Sequence, residues 1–195
     1  MRRSLLSYLT FAALATIAIA SVPALLAFKE HLPFSQGFHG LTSDRLAPDF
    51  ELTDTSGKPA RLSDIKGYRY VFFGFSRCTT VCPSTWAELR RLQAGFDQAS
   101  APKIVFVSID SHYDSPAELS ERFAGFGPNF IALTGSADRI RSIAADYRIL
   151  IPQSTAETIH HSGTLYLVRP DGRIALIYLT SPDSETLLAD LKHLK

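Results

Sequence analysis

The chain has two cysteines, four positions apart in Cys78-Thr79-Thr80-Val81-Cys82, with Pro83 directly after. A near-continuous apolar run precedes them. From Pro83 onward the pattern turns helical, with Trp86, Leu89, Leu92 and Phe96 on one face. Such spacing puts both sulfurs on one helical face, about a turn apart. Unpaired backbone N–H groups and the positive end of the helix dipole favour thiolates there. Two neighbouring thiolates suit a soft metal such as Cu(I), or reversible thiol–disulfide exchange. A purely structural disulfide is the poorer reading, because closing so short a loop constrains the unfolded chain little. Redox pairs are more often spaced C-x-x-C, so the extra residue leans towards metal.

Two cysteines do not complete a strong metal site, so a third ligand is sought among the six histidines. His31 and His39 fall in a stretch of little periodicity. His193 falls in a last helical turn, where a cation is favourable anyway. His112 reads as a solvated loop residue. His160 and His161 precede the strand that starts at Leu165, in a loop able to fold over the cysteines. One of that pair is the best third ligand, and an S₂N set suits copper in either oxidation state. Asp110 and Asp114 flank Ser111-His112-Tyr113. Asp114 or Ser115 can cap the next helix, and a functional role for the acids would be hydrogen bonding behind the ligands or contact with a partner.

The elements that must position these groups follow from patterning. Phe50-Glu51-Leu52 alternates, Thr55-Ser56-Gly57-Lys58 is a turn, and residues 60–62 pair back as a hairpin. Residues 70–75 and 104–109 read as buried central strands. Ser115-Pro116-Ala117-Glu118 is a capping box with Pro at the first helical position. A short strand at 130–133 leads to a helix opening at Gly135 or Ser136. Residues 165–168, the Pro170-Asp171-Gly172 turn and residues 174–178 form strand, turn, strand, and Ser181-Pro182-Asp183 caps a closing helix. The order implies an α/β fold of three layers, thioredoxin-like, with a mainly parallel sheet, an N-terminal hairpin and helices on both faces. Cys78 and Asp110 each follow the carboxyl end of a strand, where functional groups of such sheets gather.

Composition is that of an ordinary globular protein, 46% hydrophobic and 20% charged, with a formal net charge of +1. Lys and Arg are scattered, which argues against a nucleic-acid surface. The amino terminus differs. Arg2 and Arg3 precede residues 4–28, which carry no charge. That run matches the ~20 residues needed to span a bilayer as a helix, and the basic pair orients the amino terminus to the cytoplasm. The expected organisation is a membrane anchor at 1–28, a tether at 29–47 and a folded domain at 48–195. A cleaved signal peptide is the alternative, since Ala18-Ile19-Ala20 fits a cleavage pattern. Either way the domain is exported. With no long transit region, the expected location is the inner membrane of a bacterium, single-pass, with the domain in the periplasm.

Three stretches together carry a resemblance: CTTVCP, SIDSHYDSP and HHSGTLYLVRPDG. They resemble the signatures of the Sco/SenC family of copper chaperones, and APDFELTDTSGKPARLSDIKG resembles that family's first hairpin, so the likeness covers residues 47–195. It implies copper held by Cys78, Cys82 and His161. His161 holds the family's position before Ser162, and adjacent residues of an extended segment point to opposite sides. It also implies a role in assembling the binuclear copper A centre of cytochrome c oxidase. The partner would be the subunit that carries that centre, and the copper donor stays unnamed. Thr79-Thr80 stands where many members have Pro-Asp, His160 replaces an aspartate, and the loop 150–159 is short. The first two departures change the charge near the metal. The competing reading is a metal-free thiol–disulfide oxidoreductase cycling Cys78 and Cys82, which has no need of an imidazole at 161. A peroxidase of the same fold is weaker, since only the first hairpin favours it.

Overall fold

The computed structural model describes residues 21–23, 37–151 and 163–195. The chain divides into two units, Met1–Phe38 and His39–Lys195. In the first, residues 21–23 are helical, and the rest of the apolar 4–28 segment lies outside the described residues. Among the described residues no helix is long and apolar enough to cross a membrane.

The second unit runs β1 (Leu41–Thr42), β2 (Glu51–Asp54), β3 (Pro59–Arg61), a 3₁₀ turn (Leu62–Asp64), β4 (Arg69–Gly74), α1 (Val81–Ala94), β5 (Lys103–Ser108), α2 (Pro116–Phe123), β6 (Phe130–Thr134), α3 (Ala137–Asp146), β7 (Leu165–Val168), β8 (Ile174–Tyr178) and α4 (Ser184–Leu194). The helix starts have side-chain caps where the sequence places them. Ser115, Ser136 and Asp183 accept hydrogen bonds from the backbone N–H of Glu118, Arg139 and Thr186, each worth about 1 kcal/mol. Gly172 closes the β7–β8 turn at φ 85°, a conformation that costs glycine nothing.

All strands join one sheet in the order β1-β8-β7-β4-β5-β6-β2-β3. β4 is buried along its whole length, as its apolar run requires. Its alternate side chains separate the layers. On one face Phe72 packs on Phe106, which meets Trp86 of α1 and Phe123 of α2 at ring-centroid distances of 5.8 and 5.1 Å. The Tyr70 hydroxyl on that face donates to the carbonyl of Leu187 in α4. On the other face Phe73 packs on Tyr147, at the end of α3, with centroids 5.1 Å apart, and Tyr166 joins them. Helices cover both faces, as expected for three layers.

Two expectations are corrected. The sheet is mixed rather than mainly parallel: among the described strands only β4–β5 and β5–β6 pair parallel. Helical crossovers enforce parallel pairing only across β4, β5 and β6. The β2–β3 and β7–β8 hairpins are antiparallel, as are β2 on β6, β7 on β4 and β1 on β8. Secondly, the folded unit takes in residues 39–47, read above as tether. Leu41 and Thr42 pair with Ile177 and Leu176, and Leu46 bridges Arg173. The buried carboxylate of Asp190 accepts from the backbone N–H of His39 at 3.1 Å and of Gly40 at 3.2 Å, and from the Tyr178 hydroxyl at 2.9 Å. The His39 ring nitrogen Nδ1 also lies 2.9 Å from it. That contact joins residues 151 apart, and local patterning contains no trace of it.

Candidate thiol and metal site

Both cysteines lie beyond the carboxyl end of β4, buried and not joined in a disulfide. Their placement differs from a pair on one helical face. Cys82 is in the first turn of α1, whereas Cys78 precedes the helix, in a turn where its N–H donates to the Phe75 carbonyl at 3.2 Å. Pro83 occupies the first helical turn, where a missing N–H costs nothing. Thr80, at the N-cap position, makes no side-chain cap. The Cys78 sulfur fills that role instead, accepting from the backbone N–H of Cys82.

This arrangement splits the two thiols. For Cys78 the largest influence, burial, acts upward. Hydrogen bonds from the Cys82 N–H, the Thr80 hydroxyl, the Thr80 N–H and the Cys82 thiol outweigh it, and its pKa falls to about 6. It is a thiolate at neutral pH. Burial pushes the Cys82 thiol well above the ordinary range, against a hydrogen bond from the Phe75 backbone, and the charges of Cys78 and Asp114 push it the same way. Cys82 is 0% exposed. Its sulfur sits over Gly74, where an added Cβ would come within 2.8 Å of it. The outcome is a nucleophilic sulfur at the surface side and a protonated one beneath it.

The two aspartates grip the loop that leads into Cys78. Asp110 Oδ2 accepts from Arg77 Nη2 at 3.0 Å, and the Arg77 guanidinium lies 3.4 Å from the Tyr113 ring centroid. Asp114 does not cap α2; Ser115 does. Asp114 turns back and accepts from the Ser76 N–H at 2.9 Å, from the Ser76 hydroxyl and from the Ser108 hydroxyl at 2.6 Å. His112 is exposed and edge-on to Tyr113, in keeping with a solvated loop histidine.

His160 and His161 lie outside the described residues. The chain returns at Gly163, where an added Cβ would meet Val81 Cγ1 at 3.3 Å. Gly163 therefore abuts the segment between the two cysteines. Among the described residues no group of three His, Cys, Asp or Glu could hold a metal ion. The donor set on view is one thiolate and one thiol in hydrogen-bond contact, a fit for a soft ion, with Cys82 losing its proton on binding.

Helices on both faces of a mixed sheet, with two neighbouring cysteines where its central strand gives way to a helix, define a thioredoxin-like protein. The family is more specific. The SCO1/SenC family model matches residues 39–195, and the chain belongs to that family. A Stutzerimonas stutzeri protein named for copper binding is 30% identical over 141 residues, 69% of each chain. Mitochondrial SCO2 of Saccharomyces cerevisiae is 31% identical over 66% of this chain, a stretch that spans only 46% of the yeast protein. Apo Sco1 of Thermus thermophilus superposes with a TM-score of 0.70 at 28% identity, covering 83% of this chain and 99% of that one. Arabidopsis thaliana ScoI, solved with copper bound, gives 0.67 at 25% identity, covering 75% and 96%. BsSco, of the Sco family of cytochrome c oxidase assembly proteins and described for a disulfide switch, gives 0.64 at 25% identity, covering 77% and 94%.

Proposed function

We propose that this protein binds one copper ion through Cys78, Cys82 and His161 and serves maturation of the binuclear copper centre of cytochrome c oxidase. In this reading the N-terminal segment anchors it to a bacterial inner membrane, single-pass, with the domain in the periplasm. The observation that carries the proposal is the burial of Cys78 and Cys82 side by side where β4 gives way to α1, in a chain of the SCO1/SenC family. The contact between Gly163 and Val81 supports the third ligand. Gly163 follows His161 by two positions in the sequence. The copper-bound Arabidopsis relative points the same way.

The test is copper per chain, with electron paramagnetic resonance of the Cu(II) form. The full chain binds one equivalent, and Cys78→Ser with Cys82→Ser binds none tightly, because a hydroxyl is a poor soft-metal ligand. His161→Ala removes the nitrogen signature while His160→Ala keeps it. Full stoichiometry in the double Ser variant sinks the proposal, and the reverse histidine result moves the ligand to His160.

The split thiols also favour a second reading, a thiol–disulfide oxidoreductase in which Cys78 attacks and Cys82 resolves. Such a protein reduces disulfides at full rate after His161→Ala and holds no copper.

A further inference from the structure

The buried carboxylate of Asp114 is 1% exposed, and the three hydrogen bonds described above all come from neutral donors: the Ser76 N–H, the Ser76 hydroxyl and the Ser108 hydroxyl. A charge taken out of water costs several kcal/mol, which neutral donors only partly offset. A core built for stability alone is better served by an apolar side chain. What the carboxylate does instead is join two loops at one edge of the sheet. β4 and β5 run side by side until Gly74 and Ser108, and the Ile109 N–H still reaches the Gly74 carbonyl at 2.8 Å. Beyond that point, among the described residues, side chains tie the β4–α1 loop to the β5–α2 loop and to α2: those of Asp110, Asp114 and Arg122, whose Nε donates to the Ser76 carbonyl at 3.3 Å. Asp110 holds Arg77, but Arg77 is 48% exposed, so that pair is screened by water and worth little. Asp114, itself 1% exposed, holds the half-buried Ser76 twice, two residues ahead of Cys78.

We propose that Asp114 is a positioning residue for the thiol pair: through Ser76 it fixes the loop that presents the Cys78 sulfur to Cys82, and so sets how readily the two sulfurs meet. This rests on Cys78 and Cys82 being the working pair, and is independent of whether copper is their cargo. Asparagine can replace the aspartate with the grip intact. Its oxygen accepts from the Ser76 N–H and the Ser108 hydroxyl, and its NH₂ donates to the Ser76 hydroxyl. Alanine makes none of these bonds.

The experiment measures the equilibrium between the Cys78–Cys82 dithiol and its disulfide against oxidised and reduced glutathione, in the metal-free full chain, alongside thermal unfolding. Each disulfide formed gives up two protons and two electrons to oxidised glutathione, which yields two molecules of reduced glutathione. Asp114→Ala should lower the equilibrium constant about tenfold, since small misplacements of reacting groups carry large penalties. Asp114→Asn should restore it to within about threefold of the parent. Ser115→Ala, which removes a helix cap worth about 1 kcal/mol without touching Ser76, should lower the unfolding temperature and leave the constant within about twofold. Should Asp114→Ala fail to fold, Ser76→Ala carries the test, with an expected fall of about threefold. The proposal is overturned if the alanine variants keep the parent constant. It is overturned equally if Asp114→Asn lowers the constant as far as Asp114→Ala does, or if Ser115→Ala lowers it to the same extent. The readout needs no copper, so it stands or fails apart from the copper proposal.

Discussion

Replacing Gly74 with alanine tests whether the Cys82 sulfur owes its depth to a missing methyl group. The added Cβ would lie 2.8 Å from Cys82 Sγ and 3.1 Å from ring carbons of both Phe72 and Phe106. Favourable heavy-atom contacts lie at about 3.5–4.0 Å, so the neighbours must retreat by several tenths of an ångström. Phe72 and Phe106 are 0% exposed; Phe72 packs on Phe106 and Phe106 on Trp86 and Phe123, so little room exists on their side. The sulfur, on the first turn of α1, has to move. Overpacking of this kind costs about 1–3 kcal/mol, which in a domain of this size lowers Tm by roughly 2–12 °C. The sharper effect is local: a sulfur lifted off β4 moves towards solvent and reacts with a thiol reagent that leaves the parent Cys82 untouched. Thermal unfolding and mass-resolved alkylation of the reduced chain read both effects. A Gly74→Ala protein with parental Tm and a still silent Cys82 would refute the reasoning.

Other outcomes follow from the same geometry. Because its hydrogen bonds hold Cys78 at about 6 against burial, from an ordinary 9.0, its alkylation rate in the reduced, metal-free chain should rise with pH around a midpoint near 6. The depressed pKa also means that this thiolate adds stability above the unfolded-state value, and that the gain disappears as pH falls through about 6; a labelling midpoint near 9 would contradict both statements. Arg148 follows α3 at φ 58°, with its N–H on the Ala145 carbonyl and that of Ile149 on the Ala144 carbonyl. Glycine is the favoured residue at such a helix end, so Arg148→Gly should stabilise the fold by about 0.5–1 kcal/mol, and a lower Tm would count against this account.

Patterning over a few residues found most of the elements but not what ties them together. The runs at 70–75 and 104–109 became β4 and β5, and Ser115, Ser136 and Asp183 became caps, because burial and capping are written within one turn or strand. The thiol pair was legible for the same reason. The off-helix position of Cys78 was not, because it depends on the chain turning through Ser76 and Arg77 before α1 begins. Asp114 looked like a cap, and its reach back to Ser76, 38 residues away, comes from strand pairing that only the folded sheet provides. The need for glycine at 74 was equally hidden, since it is set by a sulfur eight residues on. His39 looked idle until Asp190 closed on it.

A helix that borrows a sulfur atom to finish its first turn links that turn to whatever else the sulfur binds. The Cys78 sulfur that receives the Cys82 N–H is the atom that a disulfide partner or a bound metal ion would share. A helix-capping bond is worth about 1 kcal/mol, and a thiolate has lone pairs enough to keep it while it holds a ligand. By reciprocity, a ligand that draws charge from the sulfur weakens the bond that finishes the first turn, and a stronger bond there weakens the ligand's hold. Release returns the thiolate to a waiting N–H group instead of to bare water. The first turn of α1 and whatever Cys78 binds are thus coupled through a single atom.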